Sequence, residues 1–170
     1  MLDYLYEFLP RDIVVKCMTE ASEKFHAAFN IKSITYVYKI NSNETRNVFN
    51  RKFVYHSEIK LNLEEMRIAA ESLVGNHDFQ GFATETANSK STIKTINYIN
   101  ITENNGMIEI EVNADGFLWN MARIIIASII DIGEGKLKTM DIETLLNEKM
   151  ESKYTLMAKT KGLSLRNVEY

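Results

Sequence analysis

Between Gly116 and Gly133 the chain is apolar on nearly every side. Phe117, Leu118, Trp119, Met121 and Ala122 lead into Ile124, Ile125, Ile126, Ile129, Ile130 and Ile132, interrupted by almost nothing except Asn120, Arg123 and Ser128. At about 3.6 residues per turn these side chains cover most of a helix circumference, which predicts a helix buried nearly all round. The stretch is too short and too interrupted for a membrane span, and its glycine and acidic flanks suit a core helix. Arg123 is the misfit. A guanidinium keeps its charge at any physiological pH, and burying it is costly without a carboxylate. Within the chain, Asp78 and Asp115 are the formal candidates for that partner.

A helix of this kind needs a core to enter, and 170 residues with 45% hydrophobic content provide one. The single proline, Pro10, and the seven glycines leave no linker, so residues 1–170 read as a single domain. Cys17 is alone and excludes an intramolecular disulfide, while His26, His56 and His77 show no metal-ligand spacing. No metal is expected. The acidic start lacks the basic region of a signal peptide, so the cytoplasm is the expected compartment and no membrane partner is expected. The net charge of −3 gives no global basic field for nucleic acid, although a local basic cleft is compatible with it.

Periodicity then sets the order of elements. Leu9 to Asp12 reads as a turn and Ile13 to Thr19 as a strand. A second strand places Ile34, Tyr36, Tyr38 and Ile40 on one face and Ser33, Thr35, Val37 and Lys39 on the other. Residues 41–60 read as a long loop or ragged hairpin. There Arg46, Arg51 and Lys52 interleave with Phe49, Phe53 and Tyr55, a pattern that suits RNA, or else a solvated loop pinned by its aromatics. Asn62 and Glu65 form a capping-box pattern ahead of the apolar stripe Met66, Ala69, Ala70, Leu73 and Val74, with Gly75 as the exit. Ile93 to Ile101 reads as a strand, Asn105-Gly106 as a hairpin turn, and Ile108, Ile110 and Val112 as the buried face of the returning strand. After the central helix, an amphipathic helix from about Thr139 buries Ile142, Leu145, Leu146 and Met150, and Gly162 to Tyr170 forms a last strand. The class is α+β, a largely antiparallel sheet with helices packed on one face.

No nucleophile motif, phosphate loop or dinucleotide fingerprint is present. His77 and Asp78 could act as acid and base, but adjacent side chains seldom converge, and Asp78 could equally cap a short helical turn. Tyr36 is either core or a stacking platform at a cleft.

The motifs in order resemble the later part of the tRNA pseudouridine synthase A (TruA) family. They run from Leu9-Pro10-Arg11-Asp12-Ile13 through Phe25-His26-Ala27-Ala28-Phe29 to Tyr36-Val37-Tyr38. They continue in Gly75-Asn76-His77-Asp78-Phe79 with Phe82, Lys94-Thr95-Ile96, Gly116-Phe117-Leu118-Trp119-Asn120-Met121-Ala122-Arg123, and Gly162-Leu163 with Leu165, Val168 and Tyr170. The resemblance implies a pseudouridine synthase-like fold and a cofactor-free isomerase. Such an enzyme converts uridines of the tRNA anticodon stem-loop, at the family's positions 38–40, to pseudouridine. It implies tRNA as substrate and a homodimer. By position, Tyr36 matches the tyrosine that packs on the target base and Arg123 the arginine that pairs with the catalytic aspartate. His26, His77, Asp78, Phe79, Phe117 and Asn120 fall in the family's motifs. Arg46, Arg51, Lys52 and Lys94 are the expected RNA contacts.

The family's nucleophile lies in an Arg-Thr-Asp-x-Gly-Val-His-Ala segment, and nothing in these residues matches it. That segment belongs before Leu9, so the chain is expected to be the carboxy-terminal domain, inactive alone, lacking the half that carries the aspartate. Lys94 replaces a usual Arg, Ala28 replaces another, Thr35 replaces a frequent basic residue, and Thr155 to Ala158 replaces Thr-Ala-Pro-Ala. A non-catalytic RNA-binding or interaction module of the same descent is the alternative.

Overall fold

The strand Ser33–Asn41 (β1) is the axis of the sheet, paired along both edges. A computed structural model describes residues 2–84, 91–147 and 156–170. Its elements group into two units, Met1–Asn30 and Ile31–Tyr170.

In the first unit, helix α1 (Leu2–Phe8) is followed by a turn in which the Ile13 N–H donates to the Pro10 carbonyl at 3.1 Å. The expected strand over Ile13 to Thr19 does not form. A β-branched run becomes a strand only when it finds a partner edge, and every paired strand described lies beyond residue 32.

In the second unit the strands are β1, β2 (Tyr55–His56), β3 (Gly75–Asp78), β4 (Ile93–Asn104), β5 (Met107–Ala114) and β6 (Leu163–Glu169). Their order is β2-β1-β5-β4-β3, with β6 also on β1. All pairings are antiparallel except β1 with β2. Residues 42–54 are therefore a loop that returns parallel to β1, not a hairpin. Its anchors are the buried Val54 and half-buried Tyr55, while Phe49 and Phe53 stand exposed and do not pin it. The β4–β5 hairpin closes at Asn105 and Gly106, with φ of 51° and 71°, as the Asn-Gly pair predicts.

One sheet face is apolar: Tyr38 opposes Ile110, and Ile40 opposes Ile108. The other is polar but occluded at one end, where Asn113 donates to Ser33 Oγ at 3.2 Å and Thr35 Oγ1 at 2.8 Å. Burying these groups is tolerable because each is hydrogen-bonded.

Over the apolar face pack α2 (Leu63–Leu73), α3 (Met121–Gly133) and α4 (Thr139–Asn147). The Asn62 side chain caps α2 by accepting from the Glu64 and Glu65 N–H groups. The return half of the box is replaced by a tertiary bond, since the Asn62 N–H donates to the Gly133 carbonyl at 2.9 Å. Gly133 is where α2 and α3 touch; a Cβ there would lie 2.6 Å from Met66 Sδ. In α3 every residue except Arg123 is buried, so the all-round apolar pattern was a true core signal. The helix starts at Met121, later than the pattern implies, because Gly116 to Asn120 are not helical. Ile142 of α4 is buried and Leu145 and Leu146 are half-buried; Met150 lies outside the described residues. Among the described residues no helix is long and apolar enough to cross a membrane.

Candidate functional site

The segment linking β5 to α3 sets the site. Asp115 is tied to β4 twice, its N–H donating to the Thr95 carbonyl at 3.0 Å and its carboxylate accepting the Thr95 N–H at 3.1 Å. Leu118 is buried and anchors the middle, and Trp119 is 67% exposed. Asn120 then adopts φ 59°, ψ 4°, a left-handed conformation that asparagine tolerates better than most residues. It aims the chain into α3, and its side chain donates to Thr84 Oγ1 at 2.9 Å.

This places Arg123 in the first turn of α3, half-buried. Its Nε donates to the Ala158 carbonyl at 2.9 Å and its Nη1 to Asn120 Oδ1 at 3.3 Å. The Ala158 N–H donates back to the Arg123 carbonyl at 3.0 Å. Among the described residues no carboxylate lies within ion-pair distance of the guanidinium. Neither formal candidate serves, because Asp115 is bound to Thr95 and Asp78 to the Gln80 N–H at 3.1 Å. The helix dipole adds to the cost. A helix N-terminus carries partial positive charge, so a cation in the first turn is disfavoured where an anion would be welcomed. The site is thus a fixed positive charge held by neutral acceptors.

Tyr36 lies on β1, half-buried, its ring edge-on to Phe117 at 5.2 Å and 72°. Two residues on and on the same face, Tyr38 is fully buried and donates to the Lys159 carbonyl at 3.0 Å. Burial, with Tyr55 nearby, holds the Tyr38 hydroxyl well above the usual phenol range, and the Arg123 charge opposes this. Tyr38, Ala158 and Lys159 thus form the support behind Arg123. The sequence assigned none of the three a role at the site; Tyr38 entered only as part of Tyr36-Val37-Tyr38, and Ala158 only as the end of Thr155 to Ala158.

The remaining expected site residues divide. Lys94 on β4 is brought alongside, its Nζ 3.6 Å from where a Cβ on Gly116 would stand. Arg46, Arg51 and Lys52 lie in the loop that follows the far end of β1, with Arg46 engaged by Glu58. His77 does not converge with Asp78: on strand β3 adjacent side chains point oppositely. The His77 Nε2 sits 3.1 Å from the Val74 carbonyl, its ring perpendicular to Phe79. Asp78 accepts from the Gln80 N–H, the first of the short 3-10 turn Gln80–Phe82, whose N-cap position is held by Phe79. Phe79 is core, packed on Phe82. In the first unit, His26 organises its own turn: its Nδ1 accepts from the Ala28 N–H at 3.1 Å and its carbonyl from Phe29 and Asn30.

Residues 69–170 match the model of the family described as tRNA pseudouridine synthase. The chain is 55% identical to tRNA pseudouridine synthase A 1 of Clostridium tetani over 161 residues, covering 95% of this chain and 66% of that protein. It is 38% identical to tRNA pseudouridine synthase A 2 of Bacillus cereus over 167 residues, covering 98% and 68% respectively. A similarity of 36% over 162 residues relates it to tRNA pseudouridine synthase A of Clostridium botulinum. The chain belongs to the tRNA pseudouridine synthase A family. It spans about two thirds of the length of the curated relatives it matches.

Proposed function

We propose that the chain acts as the carboxy-terminal domain of a tRNA pseudouridine synthase, with tRNA anticodon-stem uridines as substrate. The observation that carries this reading is Arg123, a fixed charge with no carboxylate among the described residues. An aspartate from polypeptide outside these 170 residues completes the pair, and the guanidinium holds that aspartate ionised and oriented. Tyr36, braced by Phe117, supplies the surface against which a uracil taken out of its stack rests. The aspartate frees the base by opening the N1–C1′ bond; the uracil turns, a C5–C1′ bond forms, C5 gives up its proton and N1 takes one up, so that the net change is an isomerisation. No cofactor enters this scheme. The same reading places the protein in the cytoplasm as a homodimer.

Release of tritium from tRNA labelled at uracil C5 measures that proton loss directly. The isolated chain is expected to release none. Adding a polypeptide that carries the family's Arg-Thr-Asp segment is expected to start the reaction with wild type, and not with Arg123→Ala. Turnover by the 170 residues alone would refute the division of labour.

A further inference from the structure

At the Asn41 end of β1, a cavity of about 660 Å³ opens beside β2. It lies within the size range of ligand sites. Its lining is strongly cationic for a chain of net charge −3. Arg46, Arg51, Lys136, Lys159 and Lys161 face two carboxylates, Glu58 and Glu134. Arg46 is engaged by Glu58, and Lys136 by Glu134. Arg51, Lys159 and Lys161 have no carboxylate among the described residues, leaving three cations around one cavity. Lys161 lies 6.0 Å from the centre of the Tyr55 ring, a weak cation–π contact that leaves its donors available.

A second observation is independent of the charge count. His56 lines the same cavity, and its Nδ1 is buried with no hydrogen-bond partner among the described residues. A buried polar atom left unpaired costs about 1–3 kcal/mol. Like-charged side chains kept together, beside an unsatisfied ring nitrogen, are the surroundings that a tetrahedral oxyanion completes.

We propose that this cavity is a phosphate-binding site, distinct from the Tyr36 and Arg123 site, whose occupant is a backbone phosphate of RNA. The phosphate chemistry follows from the cavity alone; RNA as its source rests on the function proposed above. Phe49 and Phe53, 95% and 71% exposed between the lining residues Val48, Arg51 and Val54, add surfaces on which bases can stack. Asn41, which lines the cavity, is five positions along β1 from Tyr36, about 17 Å at strand spacing. One RNA could reach both sites.

The test titrates the chain with inorganic phosphate at constant ionic strength, read by amide NMR, and separately with an anticodon stem-loop RNA, read by filter binding. Wild type, Lys159→Ala/Lys161→Ala and Tyr36→Ala are compared. Phosphate is expected to shift the amides of residues 55–58 and 159–161 saturably, with at least fivefold weaker binding in the double variant and none of that loss in Tyr36→Ala. RNA affinity is expected to fall about tenfold in the double variant, with a salt dependence shallower by about two phosphate contacts. Saturable phosphate binding with RNA affinity unchanged by the double variant supports the site and overturns RNA as its source. Phosphate binding with no RNA binding by any form does the same, and counts against the tRNA reading as well. A non-saturable phosphate response, or one the double variant leaves intact, overturns the site.

Discussion

Replacing Gly162 by alanine tests whether the segment behind Arg123 is packed as tightly as its geometry implies. A Cβ at Gly162 would stand 2.7 Å from Tyr38 Cζ, 2.8 Å from Cε2 and 3.0 Å from the Lys39 carbonyl. None of these can yield cheaply. The Tyr38 ring is fully buried and its hydroxyl is bonded to Lys159, and Lys39 is in β1 with strands on both sides. Relief must come from the 3-10 turn Thr160–Gly162 moving out by about 0.7 Å, the gap between 2.7 Å and the 3.4 Å of ordinary contact. Overpacking of this kind costs about 1–3 kcal/mol. The lower chain entropy of unfolded alanine offsets about 0.4–1 kcal/mol of it. The centres of the two ranges leave a net loss of about 1.3 kcal/mol. With a urea slope of about 2 kcal/mol/M, the midpoint followed by circular dichroism should fall by about 0.5–1 M. Gly116→Ala is the control: the nearest atom to its Cβ is the flexible Lys94 Nζ at 3.6 Å, so its midpoint should hold or rise. Equal shifts in the two variants would refute the steric reasoning.

Two further outcomes follow from side chains at the same centre. Asn120→Ala puts alanine at φ 59° and removes the bonds to Thr84 and Arg123, while Asn120→Gly removes the bonds but relieves the backbone. Thermal melts should rank wild type above glycine above alanine, with alanine about 1–3 kcal/mol below wild type; alanine at or above glycine would show that the left-handed turn carries no cost. Tyr38 has its ionisation raised by burial first, so the neutral phenol is favoured in the fold and the stability this brings is complete below the unfolded value of about 10. Above that pH the unfolded phenol ionises while the folded one does not, and about 1 kcal/mol is lost per pH unit. Between pH 8 and pH 11 the wild-type urea midpoint should thus fall further than that of Tyr38→Phe; equal falls would contradict the assignment. Tyr55, also raised chiefly by burial, leaves a residual decline in both.

What the residues disclosed in advance depended on whether the governing interaction was local. The α2 cap at Asn62 and the Asn105-Gly106 turn are decided within a few residues, and both were legible. The strand expected over Ile13 to Thr19 was misread, and β3 was not anticipated, because a strand exists only through a partner that a local pattern does not name. The start of α3 was placed too early for a related reason: apolar periodicity runs back through Phe117 and Leu118, and only the backbone at Asn120 marks the break. Arg123 was legible as an anomaly of charge among isoleucines. Its actual holder was not, since a backbone carbonyl 35 residues away leaves no trace in residue type.

That holder gives the segment from Ala158 to Gly162 a meaning beyond packing. Ala158 holds Arg123 twice, its N–H donating to the Arg123 backbone carbonyl and its own carbonyl accepting from the Arg123 Nε. Lys159 offers its carbonyl to Tyr38, Gly162 lies against the Tyr38 ring, and the side chains of Lys159 and Lys161 face the cationic cavity. Stability alone does not explain this arrangement. A guanidinium at a helix N-terminus opposes the dipole, half-buried without a carboxylate it keeps most of its desolvation cost, and the lysines stand beside further positive charge. An apolar residue at position 123 would serve the core as well as the isoleucines around it do. The unfavourable terms fall on one short segment and the two surfaces it joins, where anionic partners, a carboxylate at one and a phosphate at the other, would reverse their sign.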